Sequence, residues 1–347
     1  MKRIVIFICL SMNIAITGIA QDIHFSQFNF NPLTINPGLT GVFYGDQRAS
    51  INYKDQWQAF GAGFRTTAFS FDSGIMKKKW SKAYIGAGIN VFKDVAGDAQ
   101  LGSTKVLVSF SSIIKITKDQ KVSAGIQLGK TQKSINPDNL KWDDQYVGGA
   151  YSSSNLTMDG LNMEPFNYNE VSAGVSWDYR ASAATMTSYD ATQIQVGVAL
   201  HHINKPELSF VSTNERLYRK VVIHGNSHFG ITNTHIAIKP SFMIALQGPS
   251  TEIVIGTLFR LRTKEASHFT GYFSESGVAV GAHYRVGDAI IPSMWLEVGN
   301  FALGVSYDVN ISNLRTASNA RGGMEISLRF INPNPFKYGG GRGNASF

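Results

Sequence analysis

The side chains best placed to do chemistry are charged or imidazole groups that recur on one face of segments alternating with period two. They are Arg48, Asp72, Asp178, His224, His228, Lys239, Glu252, Arg260, His283, Arg285, Glu297, Asp308, Glu325 and Arg329. Both signs share that face, so its natural chemistry is ion pairing across an interior that is wet or filled with polar protein. Paired ions of this kind are common structural devices. Signatures of a reaction centre are missing: the sequence has no Walker loop, no H-E-x-x-H and no G-x-S-x-G. His201 and His202 are adjacent, and adjacent side chains leave a strand by opposite faces, which disfavours a shared metal. The other histidines match no ligand spacing. The expectation is a protein without metal, cofactor or catalysis.

The segments that carry these residues read as strands. In "FALGVSYDV", Phe301, Leu303, Val305, Tyr307 and Val309 share one face, while Ala302, Gly304, Ser306 and Asp308 take the other. "GGMEISLRF" and "TQIQVGVALH" repeat the pattern, the second with Val196 and Gln195 on opposite faces. Alternation at 180° per residue over such lengths means strands lying between two unlike environments. One face is almost free of charge, as a lipid-facing surface requires. The pattern predicts about fourteen strands, over 46–54, 66–76, 83–94, 102–116, 120–134, 168–180, 192–203, 218–231, 235–247, 251–263, 277–286, 290–299, 301–310 and 322–331. The expected fold is all-β, a transmembrane antiparallel β-barrel. The connections agree in part: alternate ones are long, including 135–167, while their counterparts include "TKD", "TNT" and a single Asn, with 181–191 and 264–276 as longer exceptions.

Composition points the same way. Hydrophobic residues are 43%, charged residues 16% and aromatic residues 12%, with 34 glycines, which suits glycine-punctuated strands with aromatic girdles. Residues 1–20 open with Lys2 and Arg3, continue through an apolar run and end in small residues. That is the pattern of a cleaved secretory signal, with an apolar run too short to span a membrane. The one cysteine, Cys9, lies inside it, so no disulfide framework is expected in the mature chain. Basic residues are scattered apart from Lys77 to Lys79, which gives no nucleic-acid footprint.

Between signal and first strand stands "HFSQFNFNPLTINPGLTG", His24 to Gly41. Its two Asn-Pro pairs forbid a long helix or a central strand, and its aromatic content is too high for a solvated linker. This stretch resembles the start of the PorP/SprF-type outer-membrane proteins of the type IX secretion system. The residues that carry the resemblance are Phe25, Ser26, Gln27, Phe28, Asn31, Pro32, Asn36, Pro37 and Gly41. It continues in Arg48 and in Asn52, Tyr53, Gln56 and Trp57 of "NYKDQW". "TAFSFD" (67–72), "GDAIIP" (287–292), "GVSYDVNISNL" (304–314) and "GGMEISLRF" extend it over nearly the whole chain; Gly38 and Lys54 depart from the usual Ala and Arg.

The resemblance implies an outer-membrane barrel working with the gliding and type IX export machinery of Bacteroidota. Its partners would be other secretion components and the β-rich C-terminal domain of a large secreted adhesin, exported or held at the surface. The expected layout is signal peptide 1–20, a plug-like segment 21–45 entering from the periplasm, barrel 46–331 and a periplasmic tail 332–347. Asn31 and Asn36 are expected to satisfy neighbouring backbone groups there. The polar residues Asp72, Asp178, Arg260, Arg285, Asp308, Glu325 and Arg329 would face the lumen. Two other readings share the strand count: a transporter of hydrophobic small molecules with an N-terminal hatch, and a general porin.

Overall fold

The computed structural model describes residues 22, 24–56, 63–77, 82–136, 140–152, 154–155, 164–181, 191–208, 215–264, 275–312 and 320–332. Residues 1–20, Trp57 and 333–347 therefore lie outside the described residues, and with them the expected signal, one motif residue and nearly all of the tail. Strands β1 (Gln47–Gln56), β2 (Phe64–Ile75), β3 (Ala83–Ala96), β4 (Leu101–Lys115) and β5 (Gln120–Ser134) follow one another as antiparallel neighbours. A short hairpin, β6 (Tyr146–Val147) and β7 (Ala150–Tyr151), lies in the long connection. The barrel resumes with β8 (Phe166–Ala181), β9 (Thr192–His201), β10 (Lys220–Gly230), β11 (Ile236–Gln247) and β12 (Ser250–Lys264). It ends with β13 (Ser276–Arg285), β14 (Ala289–Val298), β15 (Phe301–Asn310) and β16 (Arg321–Asn332). Strand β16 pairs with β1 from Gln47↔Asn332 to Gln56↔Gly323, closing fourteen strands into a barrel. Closure removes the unpaired edges that a bilayer would not solvate.

The alternation explains why this sheet has two faces. Val196, Val305 and Ile326 point outward with other Val, Ile, Leu and Phe side chains, while Gln195, Ser306 and Glu325 point inward. Every predicted strand is present with its ends within two residues of the expected ones. The β6–β7 hairpin was not expected, because two-residue strands are too short to show a period.

The interior adds one feature to the expectation and corrects another. The inward face is not uniformly polar: Ala199, Val222, Met243, Ala245 and Val254 form one apolar patch inside the wall, and Leu258, Ala279, Trp295 and Ala302 form another. Both histidines of the 201–202 pair also turn inward, rather than to opposite faces. Strand β9 ends at His201, and His202 takes a left-handed backbone, φ +54°, which swings its ring back into the barrel. Prolines are tolerated in the wall where pairing lapses. Opposite Pro240 the β10–β11 ladder skips from Asn226↔Ser241 to Phe229↔Ile238, and at Pro292 the β14–β15 ladder skips likewise.

Candidate functional site

Residues 22 and 24–46 run inside the barrel, and their turns follow from local chemistry. Pro32 starts a one-turn helix, Pro32–Ile35, and Pro37 starts a turn of 3-10 helix, Pro37–Leu39. Proline suits the first position of such turns because its missing N–H would be unsatisfied there anyway. Asn36 caps the second turn, its Oδ1 accepting from the Gly38 N–H at 2.7 Å. Its Nδ2 donates outward to the wall, to the Val175 carbonyl at 2.9 Å, and lies 3.0 Å from His224 Nε2. Asn31 does not behave as expected. It is buried at the start of the helical turn, but neither end of its carboxamide has a partner among the described residues, and it makes no cap hydrogen bond to that turn.

The wall is shaped to receive these turns. A Cβ at Gly174 would overlap Asn36 Oδ1, and one at Gly125 would overlap the Pro37 carbonyl. Glycine allows that close backbone approach. Around these contacts Ser111 Oγ donates to the Thr40 carbonyl at 2.6 Å, Gln127 Nε2 to Leu33 O at 3.2 Å, and Ser123 Oγ to Gly38 O. The aromatic residues occupy the inner apolar patches. Phe25 packs on Ala68, Phe92 and Leu107; Phe28 on Val222, Met243 and Val254; Phe30 on Leu258 and edge-on to Trp295 at 5.0 Å.

Three charged clusters hold the segment, one near one end of the barrel and two toward the other. Near the end where β1 begins, Arg48 forms a two-pronged pair with Asp72, both contacts 2.8 Å. The same pair grips the segment: Gly41 N–H donates to Asp72 at 2.7 Å and Arg48 donates to Leu39 O at 3.2 Å. Gly41 itself needs its glycine backbone, φ +72°. Toward the opposite end, Glu325 accepts the backbone N–H groups of Ser26 (2.7 Å) and Gln27 (3.0 Å). Ser26 Oγ donates to Asp308 at 2.7 Å, Arg285 donates to Ser26 Oγ at 2.8 Å, and Lys54 reaches Asp308 at 3.7 Å. Toward that same end, Asp22 meets Lys105 at 3.2 Å and His202 at 2.5 Å, while Glu170 meets Lys105 at 3.1 Å. Burial alone would raise the Asp22 carboxyl, but the Lys105 and His202 charges outweigh it and hold the group well below the ordinary carboxylate range. The segment thus traverses the barrel from one end to the other.

The expected residues fall into place as follows. Phe25, Ser26, Gln27, Phe28, Asn31, Pro32, Asn36, Pro37, Gly41, Arg48 and Asn52 are buried within the barrel, Asn52 donating to Ser327 Oγ at 2.7 Å. Tyr53 has the outward phase of β1, and Gln56 ends that strand. Of the polar set, Asp72, Arg285, Asp308 and Glu325 touch the segment directly. Arg260 pairs with Glu297 and Glu275, and Asp178 lies 3.5 Å from Gln195. Arg329 stands beneath the Phe30 ring at 5.2 Å. Lys54, Lys105 and Glu170 were overlooked, although the phases of β1, β4 and β8 put each of them inside.

Among solved structures the chain is similar to other barrels. It shares 9% identity with the CymD monoaromatic hydrocarbon channel, with a TM-score of 0.44 and coverage of 88% of this chain and 94% of that one. With CdiB from Acinetobacter baumannii it shares 7%, TM-score 0.42, over 83% and 60%. With BamA from Haemophilus ducreyi lacking POTRA domains 1-3 it shares 9%, TM-score 0.39, over 83% and 70%. No curated protein matches the sequence. The family described as type IX secretion system membrane protein PorP/SprF matches residues 17–330, nearly the whole chain, and the protein belongs to that family.

Proposed function

We propose that this barrel serves type IX secretion as a non-enzymatic outer-membrane partner of large secreted adhesins, whose β-rich C-terminal domain it helps export or hold at the cell surface. Residues 1–20 direct the chain to the envelope and are removed. The end where β1 begins faces the periplasm, and residues 22–46 are a plug whose displacement or exposure couples the barrel to its cargo. The observation that carries this reading is the fit between family and geometry. The motif that marks the family, Phe25 to Gly41, is the stretch gripped by Arg48–Asp72, by Glu325 and by the glycine-lined wall. The clusters of opposite charge beside that segment speak against a greasy conduit for small hydrophobic molecules.

The test is made in cells. Deleting Phe25–Gly41 is expected to leave a membrane-inserted barrel and abolish surface labelling of a large secreted adhesin with a β-rich C-terminal domain. An inserted, deleted barrel that still displays the adhesin at normal level would refute the coupling. Asn36→Ala, which loses one cap and its wall contacts for about 0.5–2 kcal/mol, is expected to reduce display without preventing insertion.

A further inference from the structure

Arg329 stands apart from the other lumenal charges. Its side chain is only 3% exposed, and it makes no hydrogen bond or ion pair with any described residue; its contact is with the face of Phe30. The carboxylate whose field reaches it, Glu297, is already engaged by Lys239 at 3.3 Å and by Arg260. Arg260 also takes Glu275 at 3.0 Å, and Arg48 is matched by Asp72. Lys239, Arg260 and Arg329 therefore carry three positive charges against two on Glu275 and Glu297, which leaves one over. A buried charge without a counter-charge is costly.

The surplus faces a cavity between the N-terminal segment and the wall, bounded by Asn29, Asn226, Lys239, Trp295 and Arg329 among others. The cavity adjoins the gap that Pro240 leaves in the β10–β11 ladder. Its lining is rich in donors. Trp295 Nε1 is buried with no acceptor, and an indole nitrogen can only donate. The Asn226 carboxamide oxygen is likewise unpartnered, and a half-turn about χ2 would offer its NH2 instead. The cavity has room for a water-sized species beside these donors. Water would solvate Arg329 without neutralising it, whereas a monatomic anion does both.

We propose that the cavity between Arg329, Lys239 and Trp295 binds one small monovalent anion, chloride under ordinary conditions. The ion completes the charge balance beneath Phe30 and so helps to seat the N-terminal segment.

The full-length barrel, purified in detergent, is titrated with sodium chloride against sodium gluconate at constant ionic strength while its unfolding midpoint is followed. The wild type is expected to show a saturable rise with chloride, and Arg329→Gln to need about tenfold more chloride or to lose the effect, since a hydrogen bond to a charged group is removed. Crystals of the wild type grown in bromide are expected to give an anomalous peak in the cavity, a result that does not depend on the variant folding. No chloride effect in the wild type, an unchanged effect in Arg329→Gln, or bromide crystals with no peak beside Arg329 would each overturn the site.

Discussion

At the scale of single residues, the pair Arg48–Asp72 shows why a motif arginine sits at the start of a barrel strand. It is a buried ion pair, and such pairs matter mostly through what is left when one partner goes. Arg48→Met is expected to destabilise the barrel by about 3–5 kcal/mol, because Asp72 remains charged and buried. The double change Arg48→Met with Asp72→Leu is expected to recover most of that, less about 1–3 kcal/mol for the Gly41 N–H left without an acceptor. Urea unfolding of the two variants in lipid vesicles checks the order; equal losses would mean the stranded Asp72 charge is not what costs stability. Lys77 gives a pH test. Its ammonium lies over Phe43 at 4.4 Å and donates to Phe43 O at 3.2 Å. Burial, with the Lys121 charge, pushes its pKa down to about 7 from 10.5. Between those values the unfolded chain binds a proton that the folded chain does not, so stability rises with pH over that window. The wild type is expected to gain stability from pH 7 to 10, and Lys77→Met to lose that slope. Identical slopes would remove Lys77 from the account.

At the scale of elements, the strands were legible because lipid and lumen impose opposite demands on alternate residues. Strands β5 and β15 have the bounds that the alternation predicts, and no strand end departs from expectation by more than two residues. The same phase places Lys54, Lys105 and Glu170 inside, where they are found. Other features were hidden for physical reasons. The inward turn of His202 depends on one left-handed residue beyond a strand end. The apolar patches under Phe28 and Phe30 depend on partners far away in sequence. The course of residues 22–46 is set by contacts with strands from β1 to β16, which local pattern cannot report. Facing is open to direct test: Val196→Arg is expected to cost ~2–4 kcal/mol near the bilayer midplane, and Gln195→Arg less. Unfolding from vesicles measures both, and equal tolerance would put the two side chains in one environment.

At the scale of the whole molecule, fourteen paired strands make a wall, and the stretch Phe25 to Gly41 lies within it rather than on it. Phe25, Phe28 and Phe30 fill apolar patches on different sides of the interior. Three charged clusters fasten the chain between Asp22 at one end and Gly41 at the other. Under the proposed function, a barrel so filled would be closed by its own N-terminus, as a secretion role requires if the membrane is not to leak. Burying Phe28 or Leu33 contributes about 1.5–3 kcal/mol each, which helps to hold the segment in place. Ion conductance across a planar bilayer tests this claim most directly, comparing the purified wild-type barrel with one lacking Phe25–Gly41. The account predicts a wild type that is essentially silent and a deletion variant with large, steady conductance; equal conductance in the two would contradict it.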